Sequence, residues 1–289
     1  ELLSGLVGSE MCIRDRAGHP KEEFIKILEN KDDWVYTFQF SKENNILIVE
    51  KGSVTINGVS LTCYDVQKNL FSVSIIPHTF KNTNFQFAKY TQQIVDLLGL
   101  IENEDLTSVY GTTQDKAIMF HRQNQDVFNS KCVPAIERYT GVVYNHIDWA
   151  SLTKKSQQYM NKHIMIFSGL FGLLTPNTLI PDYKLKMNVL SLKRLWGPII
   201  TEHLSKEDLI FDLLPQVHRK AYTPNKNTIQ VDFLVKNKGK TTAAGHFGKS
   251  VKGEFIRFLA QNQVKSIKDF KGFEYDGFKW DGKNFVKNT

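Results

Sequence analysis

HFGKSVKGEFIRFL, residues 246–259, sets the reading of the larger part of this 289-residue chain. Phe255, Phe258 and Leu259 fall on one face at helical spacing, and the pattern predicts a helix over Val251–Asn262. The same stretch carries the cations Lys249, Lys252 and Arg257, and Gly253 permits close backbone approach. Directly after it, Gln263-Val-Lys265 reads as a turn and Ser266–Phe270 as a second helix, with Lys265, Lys268 and Lys271 nearby.

Upstream, strand and helix patterns alternate. Thr228–Val235 alternates as a strand, and Leu209–Leu214 and His163–Ser168 read as buried strands. Leu185–Leu192 reads as a strand and bend, Thr175–Pro181 as a loop, and Lys193–Glu202 as a helix interrupted by Gly197-Pro198. Asp115–Asn129 looks helical and polar with Ala117, Ile118 and Phe120 inward. Ile94, Leu97, Leu98 and Ile101 follow helical spacing, and Leu106 and Val109 continue it in a short second helix. This alternation predicts a mixed α/β or α+β domain over residues 87–289.

Residues 17–86 read differently. Trp34–Phe40 alternates at period two, Ile46–Val49 is a short apolar run, and Phe71–Ile76 is another strand. Val54–Ile56 and Val59–Thr62 flank Asn57-Gly58, a strong hairpin signal because both turn residues tolerate positive φ. Several short strands with turn signals predict a small barrel or sandwich.

Charge divides the chain the same way. Residues 1–86 hold 9 Lys+Arg against 11 Asp+Glu, whereas residues 87–289 hold 28 against 19. Lys236–Thr289 alone carries a net +7, equal to the excess of the whole chain. A basic segment of this kind points to a polyanionic partner, nucleic acid above all. The 41% hydrophobic content, 8 prolines and 18 glycines exclude collagen and wholesale disorder. The longest nearly apolar run, Ile164–Leu174, is too short to span a bilayer, so no membrane partner is expected. Cys12, Cys63 and Cys132 fall in no paired spacing, which predicts neither a disulfide framework nor a zinc site and suits a reducing compartment. Catalytic motifs are thin. The 8 histidines are scattered, no phosphate loop fits Gly169–Gly172, and Ser168 lacks a nucleophile-elbow pattern. No catalytic residue, cofactor or metal is therefore expected.

Three resemblances follow. LVGSEMCIRD (Leu6–Asp15) resembles one reading frame of a sequencing-library adapter, so residues 1–16 are set aside as non-native. KGSVTINGVSLT (Lys51–Thr62) and IPHTFKNTNF (Ile76–Phe85) resemble the second lumazine-binding barrel of riboflavin synthase. That likeness implies an all-β Greek-key barrel, with Ser60, Thr62, Ile76 and Thr79 at positions that line a lumazine pocket. The first barrel and the closing strand are missing, so the barrel is expected to be incomplete and without riboflavin synthase activity.

PAIERYTGVVY (Pro134–Tyr144), SGLFGLLTPNTLIPDYKLKM (Ser168–Met187), the Trp196 neighbourhood, LLPQVHRKA (Leu213–Ala221) and HFGKSVKGEFIRFL fall in the same order as in the YaaA peroxide-stress family. The resemblance covers about 200 residues and implies a cytoplasmic bacterial α/β protein. It also implies a role in limiting free iron under peroxide and non-specific binding of duplex DNA through a helix-hairpin-helix-like element. Carried onto this chain, the DNA-binding residues are Lys249, Lys252, Gly253, Arg257, Lys265 and Lys268. The family's first strand and Ser-Pro-x-Lys-like segment are absent. The chain thus reads as a chimera of a truncated barrel (17–86) and an N-terminally truncated YaaA-like domain (87–289). The alternatives are a lumazine- or riboflavin-binding module and a small-molecule or iron-handling cleft lined by Asp182, Tyr183, Lys184, Glu137, Arg138 and Tyr139.

Overall fold

The computed structural model describes residues 11–12, 22–29, 34–40, 48–56, 59–75, 85–128 and 130–289. The chain divides into two compact units. One comprises the residues up to Pro134 together with Leu170–Lys186; the other comprises Ala135–Gly169 and Met187–Thr289.

The first unit opens with β1 (Met11–Cys12), β2 (Glu22–Glu29), β3 (Trp34–Phe40), β4 (Ser53–Ile56), β5 (Val59–Tyr64) and β6 (Leu70–Ile75). They form one sheet in the order β1-β4-β5-β6-β3-β2. Among the described residues this sheet is open, with β1 and β2 at its edges, so it is a strand-rich domain rather than a closed barrel. The β4–β5 pairing is antiparallel with Ile56 opposite Val59, the register that a two-residue hairpin requires. Asn57-Gly58 itself lies outside the described residues. The period-two reading of β3 places Tyr36 and Phe38 in the core, and the Phe38 ring stacks on Phe71 at 5.4 Å. Thr37, on the other face, is buried too. It sits opposite Ser72, and the two hydroxyls bond at 3.0 Å, which satisfies both away from water.

Helices and short strands make up the rest of this unit. It holds α1 (Phe85–Gly99), α2 (Leu106–Tyr110) and α3 (Gln114–Gln125). Ile94 and Leu98 of α1 are fully buried. On α3 the inward residues are Ala117, His121 and Asn124, while Ile118 and Phe120 are only half-buried. The predicted apolar face is therefore displaced by a polar one. Asn124 accepts from the Lys184 amide and donates to the Lys184 carbonyl, both at 2.9 Å, and also donates to Tyr110 Oη at 3.1 Å. The expected loop over Thr175–Pro181 contains a strand: β7 (Cys132–Pro134) pairs antiparallel with β8 (Leu179–Pro181).

The second unit is built round one long helix. Its longer helices are α4 (Val142–Ile147), α5 (Lys154–His163), α6 (Leu192–Leu204) and α7 (Phe247–Asn262). Short strands β9 (Ile210–Asp212) and β10 (Thr228–Gln230) pair in parallel. A five-stranded sheet follows, from β11 (Phe233–Asn237), β12 (Lys240–Ala243), β13 (Glu274–Tyr275), β14 (Phe278–Trp280) and β15 (Phe285–Asn288). Its order is β12-β11-β15-β14-β13, and only β11 and β15 run parallel.

Helix α7 is buried on two sides. Val251, Phe255 and Leu259 join Phe233, Phe270, Phe273, Phe278 and Phe285 in an aromatic core, with the Phe255 ring 4.7 Å from Phe285 and 4.9 Å from Phe270. Ile256 and Ala260 join Ile136, Ile147, Leu152 and Met160 in a second cluster.

Four sequence expectations change in this unit. Thr228–Val235 is two strands, because Val231 and Asp232 carry the chain from one sheet to the next; the Val231 amide bonds Asp212 O, and Asp232 O accepts from Phe285. His163–Ser168 is a strand only at Ile166–Ser168. Leu185–Leu192 contains no strand; Leu190 and Ser191 have φ of 49° and 57° ahead of α6. Finally, α6 runs unbroken through Pro198. Burial of Trp196 and Ile200, with the Trp196 indole donating to Gly169 O at 2.9 Å, overrides the local penalty.

Candidate nucleic-acid interface

The element that carries the candidate cations is a helix, a tight turn and a 3-10 helix. Helix α7 ends at Gln263, whose φ of 52° is left-handed, and the Val264 amide returns to Leu259 O at 3.1 Å. This is the helix-ending geometry that glycine usually supplies. Buried Val264 pins the turn, and its carbonyl accepts from Tyr159 Oη at 2.5 Å. The 3-10 helix Ile267–Gly272 starts at Ser266, where the Asp269 carboxylate gathers the amides of Lys265 and Ser266 at 3.3 and 3.2 Å. Buried Phe270 ties it to α7. The predicted turn and second helix thus form, and α7 starts one turn earlier than its apolar spacing indicates.

The cations differ in what holds them. Lys249, Lys265, Lys268 and Lys271 are exposed, and no ion pair among the described residues engages them. Arg257 is occupied: its guanidinium donates to Ile147 O at 2.9 Å and Asp148 O at 3.1 Å, capping α4. Gly253 is buried, and the close approach it permits is to α4. A Cβ there would run into Val143 O and lie 2.5 Å from His146 Cβ. Its role in this structure is helix packing, which removes it from the exposed surface.

Lys252 stands apart. It is half-buried beside a polar cluster that sequence reading did not single out, although LLPQVHRKA contains part of it. Asp212 is fully buried and accepts from the Leu214 amide at 2.8 Å and Tyr222 Oη at 2.7 Å. Arg219 lies 3.4 Å from Asp212 through Nε and donates to Asp232 at 2.8 Å. Burial, then the neighbouring Arg219, pushes the Lys252 ammonium down to about 8; Asp232 and Asp212 oppose that shift. Burial and then Lys252 hold the His218 imidazole below its ordinary range. Tyr222 is pushed up by burial and by its bond to Asp212.

The remaining candidates fall elsewhere. Ser60 and Thr62 lie in β5, opposite Thr55 and Ser53, and Thr62 is exposed. Ile76 and Thr79 lie outside the described residues. Asp182, Tyr183 and Lys184 belong to the first unit, and Glu137, Arg138 and Tyr139 to the second. Among the described residues no group of three or more His, Cys, Asp or Glu side chains is placed to hold a metal ion. No described helix is long and apolar enough to cross a membrane.

Comparison with known proteins gives two family matches. The lumazine binding domain matches residues 9–97, and the family described as peroxide stress protein YaaA matches residues 67–284. A UPF0246 protein of Streptococcus gordonii is 25% identical over 226 residues, covering 72% of this chain and 93% of the relative. A UPF0246 protein of Rickettsia conorii is 25% identical over 215 residues, covering 70% and 87%. One from Marinomonas is 32% identical over 171 residues, covering 54% and 65%. With three quarters of its length inside one match, this chain belongs to the YaaA peroxide-stress protein family.

Proposed function

We propose that the chain acts in the response to peroxide, in a cytoplasmic setting, by limiting free iron and by binding duplex DNA without sequence preference. Family membership supports the peroxide role. The observation that carries the DNA reading is the set of exposed cations Lys265, Lys268 and Lys271 around the turn and 3-10 helix, with exposed Lys249 in the first turn of α7, none of them in an ion pair among the described residues. Lys252 adds charge near Lys249 in the first half of α7, while Arg257 and Gly253 hold α7 against α4. A buried anchor with solvated ammonium groups fits phosphate contact, because the backbone is already ordered and binding costs ordering entropy only in the lysine side chains.

The test is fluorescence anisotropy of a labelled duplex against salt. Each phosphate neutralised steepens the log–log slope by about 0.9. Replacing Lys265, Lys268 and Lys271 with Gln should flatten it by about 0.9 for each of these lysines that meets a phosphate. Absence of binding at low salt would overturn the reading. The match of residues 9–97 to the lumazine binding domain favours a second reading, in which the N-terminal strands are a module that binds a lumazine or riboflavin. Titration with 6,7-dimethyl-8-ribityllumazine, read by its fluorescence, tests that; no change at high micromolar ligand removes it.

A further inference from the structure

β15 pairs with β11 as far as Lys236, and beyond it β11 and β12 continue alone as a two-stranded tip, Asn237–Lys240. Phe233 at the start of β11 is buried, yet every residue from 236 to 243 is exposed. Lys238-Gly239 forms the two-residue connection, with φ of 45° and 81°. Two left-handed residues make a type I′ turn, whose first position favours Asn, Asp or Gly. Here it is a lysine, held in a conformation that its side chain disfavours. Asn237 pairs with Lys240 and Lys236 with Thr241, so Lys236 and Lys240 project from opposite faces with Lys238 at the tip. No acidic residue occurs between Asp232 and Glu254, and no ion pair among the described residues engages these three lysines.

We propose that this ribbon is a second nucleic-acid contact, separate from the helix-turn element, which enters a groove of duplex DNA and reaches phosphates on both walls. The inference rests on the DNA-binding reading above and adds a surface to it. A major groove is wide enough for the two-stranded tip Asn237–Lys240, with Lys236 at its root beside the end of β15. Lysines on two faces and a tip meet flanking phosphates in a way that a one-faced stripe does not. Lysine also guards sheet edges against pairing with other chains. Edge protection accounts for Lys240 but not for a lysine in left-handed conformation at the tip, where there is no edge to guard.

The experiment uses the full chain and a labelled duplex of roughly 20 base pairs, titrated across salt by anisotropy. The triple variant K236Q/K238N/K240Q should have a slope flatter by about 2.7, three phosphates at about 0.9 each. K238N alone should flatten it by about 0.9. Because Asn suits the turn, K238N should melt no lower than the parent chain, so any loss of binding is not a loss of fold. If the parent binds with a steep slope and the triple variant matches it, the ribbon proposal is overturned while the helix-turn reading stands. If the ribbon variants flatten the slope and the Lys265, Lys268 and Lys271 variants do not, the ribbon stands and the helix-turn reading falls. A parent that fails to bind at low salt overturns both.

Discussion

Gly253→Ala tests the central packing argument of the second unit. In an isolated helix this change is favourable by about 1 kcal/mol, because alanine restricts the unfolded chain and is the better helix former. In this structure the new methyl meets Val143 O and lies 2.5 Å from His146 Cβ. Its nearest neighbour is main chain, so no rotamer change relieves the clash. α4 must move away from α7, loosening the packing of Ile147 with Ile256 and Ala260. Overpacking costs about 1–3 kcal/mol, and a backbone obstacle belongs at the upper end. Subtracting the propensity gain leaves a net loss of about 2 kcal/mol.

Gly248→Ala is the control. It lies in the same helix, where a methyl would meet only Ala244 Cβ at 3.2 Å and Phe233 Cβ at 3.7 Å. Three of the four tryptophans, Trp149, Trp196 and Trp280, lie in the second unit, so urea unfolding followed by fluorescence reports mainly on it. With an m-value of about 2 kcal/mol/M, the Gly253→Ala midpoint should fall by about 1 M while Gly248→Ala stays within a few tenths. A Gly253→Ala chain as stable as its parent would refute the claim that close helix contact explains this glycine.

Lys252→Met should stabilise the second unit at pH 7, by up to about 3 kcal/mol less an allowance for its partial exposure. The folded lysine gives up its proton near 8, while the unfolded one keeps it to about 10.5. Below pH 8 both are charged, and the folded state carries the full burial cost. Above 8 the unfolded chain binds more protons, so parent stability climbs between about pH 8 and 10.5 and the advantage of the variant disappears. Parallel stability curves over that window would refute this. Asn124→Ala should cost the first unit about 2–4 kcal/mol, since it strips the Lys184 amide and carbonyl of their partners. Hydrogen exchange at Lys184 should then speed up, and unchanged protection there would contradict the assignment.

Some of this was legible in the amino acids and some was not. The β4–β5 hairpin, the strand-rich first segment and the α7-turn-helix element follow from nearest-neighbour chemistry: period-two patterning, turn residues and apolar spacing act over a few residues. The exposure of Lys249, Lys265 and Lys268 follows from the same patterns. Strands β13–β15 escaped because two to four residues are too few to show a period. Thr228–Val235 kept its alternation while the chain changed sheets, since alternation does not say which neighbour a strand pairs with. Gly253 is recognisable in the sequence as a place of close approach, but its partner, a helix about 110 residues earlier, is set by packing.

The sequence by itself determined where apolar faces and cations occur along elements such as β3 and α7, because side-chain direction is fixed by local backbone geometry. Only the tertiary structure decided which of those groups remain free. It buried Gly253 and tied Arg257 to α4. It also set Lys252 beside Arg219, Asp212 and Asp232, and left the lysines of the β11–β12 ribbon in solvent. Burial and charge pairing are sums over residues distant in the chain, and no local pattern contains them.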